Sequence, residues 1–168
     1  ANTNPTFASD TQIKGVLFIE QPNQVHFSGR VESQAVIVGD SSPGDTTTGN
    51  LLDFSGQVTC YDVGDLEGEQ FEDISQETGT FIMAPGFRVD ASGQNNVMNG
   101  VIACAGARFT GQAGGQINGS VINYADDDML LQGQSYLYFN RSGIEKNPAG
   151  FKGNQRLEFV PSSYTELH

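Results

Sequence analysis

Carboxylates are the side chains of this sequence best suited to chemistry, and their densest run is Asp126-Asp127-Asp128. Two carboxylates on either side of a glycosidic bond can hydrolyse it. Consecutive residues of a strand point to opposite faces, however, so such a pair would need a partner on a neighbouring strand. The run is better explained as a solvated corner, or as a Ca²⁺-binding loop in which these three aspartates supply oxygen ligands.

The other residue types that commonly carry catalysis are scarce. His26 and His168 are the only histidines, one in an apolar stretch and one at the end of the sequence. Neither a Ser-His-Asp triad nor a histidine-based metal site can be assembled from them. We therefore predict that the protein is not an enzyme and that it needs no cofactor, with Ca²⁺ as the one candidate ion.

Cys60 and Cys104 are the only cysteines, and no Cys-x-x-Cys motif is present. Acidic chains rich in glycine and asparagine are typical of extracellular proteins, where disulfides persist. We therefore expect an intramolecular Cys60–Cys104 disulfide. The alternative is a pair of buried free thiols.

Charge excludes several classes of partner. Eight basic residues face 20 acidic ones, for a net charge of −12, and residues 31–87 hold 11 acids without a Lys or Arg. Such a chain does not bind nucleic acid through phosphate contacts or dock on an anionic membrane. No apolar run reaches the roughly 20 residues that span a bilayer. A solvated surface, bound cations or a basic protein partner would compensate the acidic region.

The elements that would position these residues are short strands. Apolar and β-branched runs alternate with Gly- and Asn-containing turns, the pattern of an all-β chain. The predicted strands are 13–19, 25–27, 36–38, 51–54, 58–61, 80–83, 87–90, 101–104, 121–124 and 136–140. Between two of them, residues 62–77 carry apolar side chains among acids and predict a short helix or an irregular excursion.

A repeated phrase, an apolar residue followed by a small polar residue and Gly, links these strands. It occurs at 27–29, 54–56, 109–111 and, less regularly, at 91–93 and 131–133. A period near 20 residues with glycine corners predicts a β-solenoid, here of about five or six irregular coils. An antiparallel β-sandwich is the alternative. We divide the single domain into an N-terminal arm (1–12), the solenoid (13–160) and a C-terminal tail (161–168).

Longer motifs connect the chain to a known family. They are Gly79–Phe87, Asn99–Ala103, Arg108–Gly111, Gly119–Tyr124 and Leu137–Gly143. Over residues 13–164 the sequence resembles the β-helical C-terminal module of bacterial surface proteins that carry a pilin-like N-terminal membrane segment. The resemblance implies a structural role at the cell surface or in a filament, and it carries over no catalytic residue.

These observations predict an extracellular or cell-surface structural protein that assembles into homo-oligomers or a pilus-like filament. Uncapped solenoid ends expose apolar side chains and unpaired strand edges. Phe7 would anchor the arm, and Leu157 and Phe159 would anchor an added edge strand. The alternative is an adhesin or carbohydrate-binding module, assisted by Ca²⁺, with a sugar platform at Tyr136, Tyr138 and Phe139. Glycosylation acceptor triplets begin at Asn118 and Asn140.

Overall fold

A computed structural model describes residues 2–43, 48–93, 96–110, 114–126, 129–133, 136–139, 148 and 150–151. The described chain is all-β and contains no α-helix, which confirms the predicted class. Its strands are β1 Thr6–Phe7, β2 Thr11–Glu20, β3 Gln24–Phe27, β4 Arg30–Asp40, β5 Leu51–Phe54, β6 Gln57–Cys60, β7 Thr80–Ala91, β8 Asn96–Asn99, β9 Val101–Phe109, β10 Gly114–Asn118, β11 Val121–Asn123, β12 Leu130–Leu131 and β13 Tyr136–Phe139.

Every strand pair in this part of the chain is parallel. The antiparallel sandwich is therefore not the arrangement of the described residues. The pairs form three ladders, and a single long strand can bend from one ladder into the next. The largely parallel sheet is compatible with a β-solenoid.

The first ladder contains β1, β3, β5, residues 88–91 of β7, residues 106–109 of β9, and β12. The second contains residues 11–15 of β2, residues 30–33 of β4, β6, β8, β10 and β13. The third contains residues 16–20 of β2, residues 36–40 of β4, residues 80–84 of β7, residues 101–104 of β9, and β11. The chain visits the ladders in that order repeatedly.

The repeated sequence phrase lies at one corner, where the first ladder ends. There the register aligns Phe7, Phe27, Phe54, Ala91, Phe109 and Leu131. The rings of Phe27 and Phe54 stack with centroids 4.5 Å apart and planes 5° apart. Glycine follows because the corners themselves are in contact: a Cβ on Gly56 would overlap the Gly29 carbonyl oxygen, and a Cβ on Gly93 would overlap that of Gly56.

The corner that precedes the first ladder is built differently, from stacked asparagines. Asn23 and Asn50 are buried there. Asn23 Oδ1 accepts from the Asn4 backbone N–H at 2.9 Å, and Asn50 Oδ1 accepts from the Asn23 backbone N–H at 3.3 Å. Asn50 Nδ2 donates to the Gln21 side chain and to the Gly86 carbonyl. Buried backbone groups at this turn thus find partners in side-chain amides.

The acidic region between β6 and β7 is an irregular excursion, as predicted. It holds three single-turn 3-10 helices, Val63–Asp65, Glu69–Phe71 and Ile74–Gln76. Its apolar residues pack on the outside of the third ladder in a second small core, separate from the main one. Among the described residues, the structure contains no helix long and apolar enough to cross a membrane.

Candidate assembly surface at the N-terminal end

The N-terminal end of the sheet exposes the last layer of the main core. Phe7, Ile13 and Leu17 belong to the first, second and third ladders respectively, and all three pack against the buried core. They are only partly buried, whereas their neighbours in the next layer, such as Phe27 and Ile37, are fully buried. A layer of the core therefore meets solvent at this end. We call these three residues the terminal layer.

The strand edge beside the terminal layer is long. β2 runs for ten residues, and β4 is its only strand partner in the described part of the chain. The edge of a parallel sheet presents alternate backbone N–H and C=O groups that can pair with a further strand. An open cleft of about 280 Å³ lies next to this edge, with Phe7, Leu17 and Phe18 in its wall. Apolar surface and hydrogen-bonding groups are thus combined at one end.

The structure corrects the predicted N-terminal arm of residues 1–12. Thr6–Phe7 pairs with β3, and Thr11 and Gln12 open β2. The Phe7 ring stacks on Phe27 with centroids 5.3 Å apart. Phe7 is therefore the first member of the aromatic stack rather than the anchor of a free arm. A two-residue strand carries too little pattern to be recognised from sequence alone.

At the opposite end the described strands are β12 and β13. Leu130, Leu131 and Tyr138 are exposed there. Leu157 and Phe159, which we predicted as anchors of an added strand, lie outside the described residues. The structure thus places one of the three predicted assembly residues, Phe7, and adds Ile13 and Leu17 beside it. The alternation Gln12-Ile13-Lys14 in β2 is the signal that could have identified Ile13, whereas Leu17 lies in the apolar run 16–19, which has no such alternation.

The predicted disulfide is absent: Cys60 and Cys104 are free, buried thiols. Cys60 pairs with Ser33 in the second ladder, whereas Cys104 pairs with Ala84 and Asn123 in the third. They therefore serve as small apolar residues on different faces of the core. Burial raises the pKa of Cys60 well above its usual value, and raises the pKa of Cys104 to about 12 against a lowering hydrogen bond from the Gly106 backbone.

The predicted calcium loop is only partly described. Asp126 is exposed, and Asp127 and Asp128 lie outside the described residues. Within the described ranges, no group of three or more His, Cys, Asp or Glu side chains is placed to hold a metal ion. Of the two glycosylation acceptors, Asn140 also lies outside these ranges. Asn118 donates from Nδ2 to Asn99 Oδ1 at 2.6 Å.

The outer side of the first ladder carries a histidine–carboxylate hydrogen bond between strands and an arginine–carboxylate ion pair within one strand. His26 Nδ1 lies 3.0 Å from Asp53 Oδ2 on the next strand. Arg88 donates to both carboxylate oxygens of Asp90, at 2.9 and 3.1 Å. These side chains are partly exposed, so each pair contributes at most about 1 kcal/mol to stability. Each of these four side chains thus has a hydrogen-bonding partner on the same face of the sheet.

Comparison with protein family models, with curated proteins and with solved structures finds no match to this chain. The resemblance to the β-helical module of pilin-like surface proteins therefore stays a prediction.

Proposed function

We propose that this protein is a β-solenoid subunit of a self-assembling extracellular filament or pilus-like fibre, with a structural rather than an enzymatic role. The terminal layer and the β2 edge carry the proposal, because together they offer a second copy both apolar contact and strand pairing. The described strands would form about five or six coils, the first of which includes β1.

The register of the three ladders supports the proposed solenoid. Thr6 pairs with His26, Val25 with Leu52, and Thr80 with Val101, so a strand's partner is 20 to 27 residues downstream in these pairs. All three ladders step farther where the excursion at residues 62–77 intervenes: Leu51 pairs with Arg88, Thr59 with Val97 and Ile37 with Ile82. Each set of three strands is then one coil, and coils share a continuous inner column.

Addition of a second copy at the N-terminal end would continue this pattern. β1 and β2 begin the first and second ladders, and β12 and β13 are their last described members. A head-to-tail contact between β12–β13 of one copy and β1–β2 of the next would extend both ladders in parallel. Such a contact is heterologous, and it produces an open filament unless rotation closes a ring. The net charge of −12 opposes contact between copies, so we expect salt to promote assembly.

Leu17→Lys tests the proposal, since it places a charge in the terminal layer. We expect the parent to form fibres at high concentration and ionic strength, visible by electron microscopy and sedimentation velocity, while Leu17→Lys stays monomeric with β-rich circular dichroism. Gln57→Lys, a matched change at an exposed position of the second ladder, should assemble like the parent. A parent that sediments as a monomer throughout the concentration series would refute the filament.

One observation favours a glycan-binding module as the second candidate. The outer side of the second ladder forms a cleft of about 200 Å³ lined by Gln12, Lys14, Glu32, Gln34 and Tyr61. Amide and carboxylate groups beside an exposed tyrosine ring suit sugar hydroxyls and a sugar face. Saturable glycan binding by a stable monomer, lost in Tyr61→Ala, would select this function over the filament.

A further inference from the structure

Most of the outer side of the third ladder is apolar, unlike the outer sides of the other two. Its outward residues on the first three strands include Val16, Phe18, Val36, Val38 and Met83, and we call this set the apolar outer face; Glu20 and Asp40 lie outward at the end of the same strands. Val16 and Phe18 are 53% and 58% exposed. A sheet face that meets water normally carries polar residues, so apolar side chains there indicate a covering element.

The excursion covers only part of this face. Val36 is buried in one cluster with Val63 and Leu66, and the partly buried Val38, Phe71 and Ile74 pack against that cluster. A cleft of about 170 Å³ remains, lined almost wholly by apolar atoms, with Val16, Val38, Ile74 and Met83 in its walls. The uncovered part is thus bordered by Val16 on β2, by Ile74 on the excursion and by Met83 on β7.

We propose that the C-terminal segment of the same chain, residues 152–168, docks on the uncovered part of the apolar outer face. The described chain already arrives there. Gly150 lines the cleft, and a Cβ added to it would overlap the end of the Met83 side chain. Two residues earlier, the Pro148 Cα is within 3.3 Å of where a Cβ on Gly79 would lie. The chain is therefore delivered to the cleft beside β7, next to the place where Thr80 opens that strand.

The length of the remaining segment suits this site. From Met83 on β7 to Phe18 on β2, the face spans two strand spacings, since Met83 pairs with Val38 and Val38 with Phe18. Two spacings are about 10 Å. Six residues separate Phe151 from Leu157, and an extended chain of that length reaches about 20 Å. Leu157 and Phe159 can therefore reach Val16 and Phe18 without strain.

Chemistry also matches. The segment supplies Leu157, Phe159 and Val160 for the face. It approaches past the excursion, which carries Asp62, Asp65, Glu67, Glu69, Glu72, Asp73 and Glu77 without a Lys or Arg. Lys152 and Arg156, two of the eight basic residues in the chain, precede the apolar group. Opposite charges would therefore steer the segment to the cleft before its apolar side chains bind.

Cysteine cross-linking in the full chain tests the docking. Phe18→Cys combined with Leu157→Cys should form an intramolecular disulfide under mild oxidation, seen as a faster band on a non-reducing gel and as a cross-linked peptide by mass spectrometry. Cys60 and Cys104 are buried and do not compete. Gln57→Cys with Leu157→Cys is the matched control, because Gln57 is exposed on the second ladder, and it should cross-link at least 10-fold more slowly.

Limited trypsin digestion gives a second readout that does not require new thiols. Docking protects the bonds after Lys152 and Arg156, so Phe18→Asp should speed cleavage there at least 10-fold, whereas Gln57→Asp should leave the rate unchanged. Equal cleavage rates in the parent and both variants would overturn the proposal. Cross-links only between molecules would overturn it too, because a second copy would then occupy the face. Both experiments use protein that sedimentation velocity shows to be monomeric. Their outcome is therefore independent of filament formation.

Discussion

The two corners that flank the first ladder both stack from layer to layer, but they do so by different means. At its end, Gly29, Gly56 and Gly93 lie so close that a Cβ on one overlaps the carbonyl of another. At its beginning, Asn23 and Asn50 place buried amides between the layers and hydrogen-bond the turns. One corner excludes side chains and the other depends on them. Two corners of the same layer therefore place opposite demands on the side chain: the first has no room for a Cβ, and the second requires a buried amide.

Gly56→Ala should disrupt the glycine corner and cause the largest loss of stability among these variants. Its Cβ would overlap the Gly29 carbonyl, and neither backbone can move without disrupting the strand pairs on both sides. We expect the free energy of unfolding to fall by about 3 kcal/mol or more, at the upper end of overpacking costs. Urea denaturation followed by circular dichroism measures it.

Gly49→Ala is the control for that comparison. Gly49 has φ 84°, but a Cβ there meets only Pro22 Cβ at an ordinary 3.6 Å. Gly49→Ala should therefore lower the free energy of unfolding by about 1 to 2 kcal/mol, because alanine is disfavoured in this left-handed backbone conformation. Equal losses in the two variants would show that corner stacking is not what requires glycine at position 56.

Asn50→Ala should break the amide corner at an intermediate cost. Removing its side chain leaves the Asn23 backbone N–H and the Gly86 carbonyl buried without this partner. An unsatisfied buried group costs about 1 to 3 kcal/mol, so we expect a loss of about 2 kcal/mol. If Asn50→Ala lost less stability than the exposed control Gln57→Ala, the buried amide would not be stabilising this corner.

The smallest predicted effect comes from the two buried thiols, Cys60 and Cys104, which should make the stability of the protein depend on pH. An unfolded thiol titrates near its ordinary pKa of about 8.5. Burial raises the pKa of Cys104 to about 12 and that of Cys60 well above normal, so the native state keeps protons that the unfolded state releases. Stability therefore falls as pH rises above about 8, by about 1 kcal/mol between pH 8 and 9 for both thiols.

Denaturation at several pH values measures this slope. The double variant Cys60→Ala, Cys104→Ala should show a flatter slope despite its lower stability. Stability that rises over the same interval would contradict the placement of both thiols in the core.

Much of the strand framework could be read directly from residue types. Leu51–Phe54 is a strand with the predicted bounds, and the phrase at 27–29, 54–56 and 91–93 marks a real corner. The local pattern was enough to identify this corner, because in each layer the apolar residue before the glycine packs against the equivalent residue of the next layer. The asparagine corner escaped prediction, because its spacing carries no hydrophobic period and asparagine is common in ordinary turns.

Sequence by itself determined that this is an acidic all-β chain with glycine corners and an irregular acidic excursion, since these follow from local composition and periodicity. It did not show that short predicted strands such as 80–83 and 87–90 join into one long strand, β7. Tertiary structure decided the rest. Only the register of parallel strands places Cys60 and Cys104 on different ladders and brings Phe7, Ile13 and Leu17 into one exposed layer. The physical reason is that partners 20 or more residues apart are chosen by packing between layers, which no local window of the sequence contains.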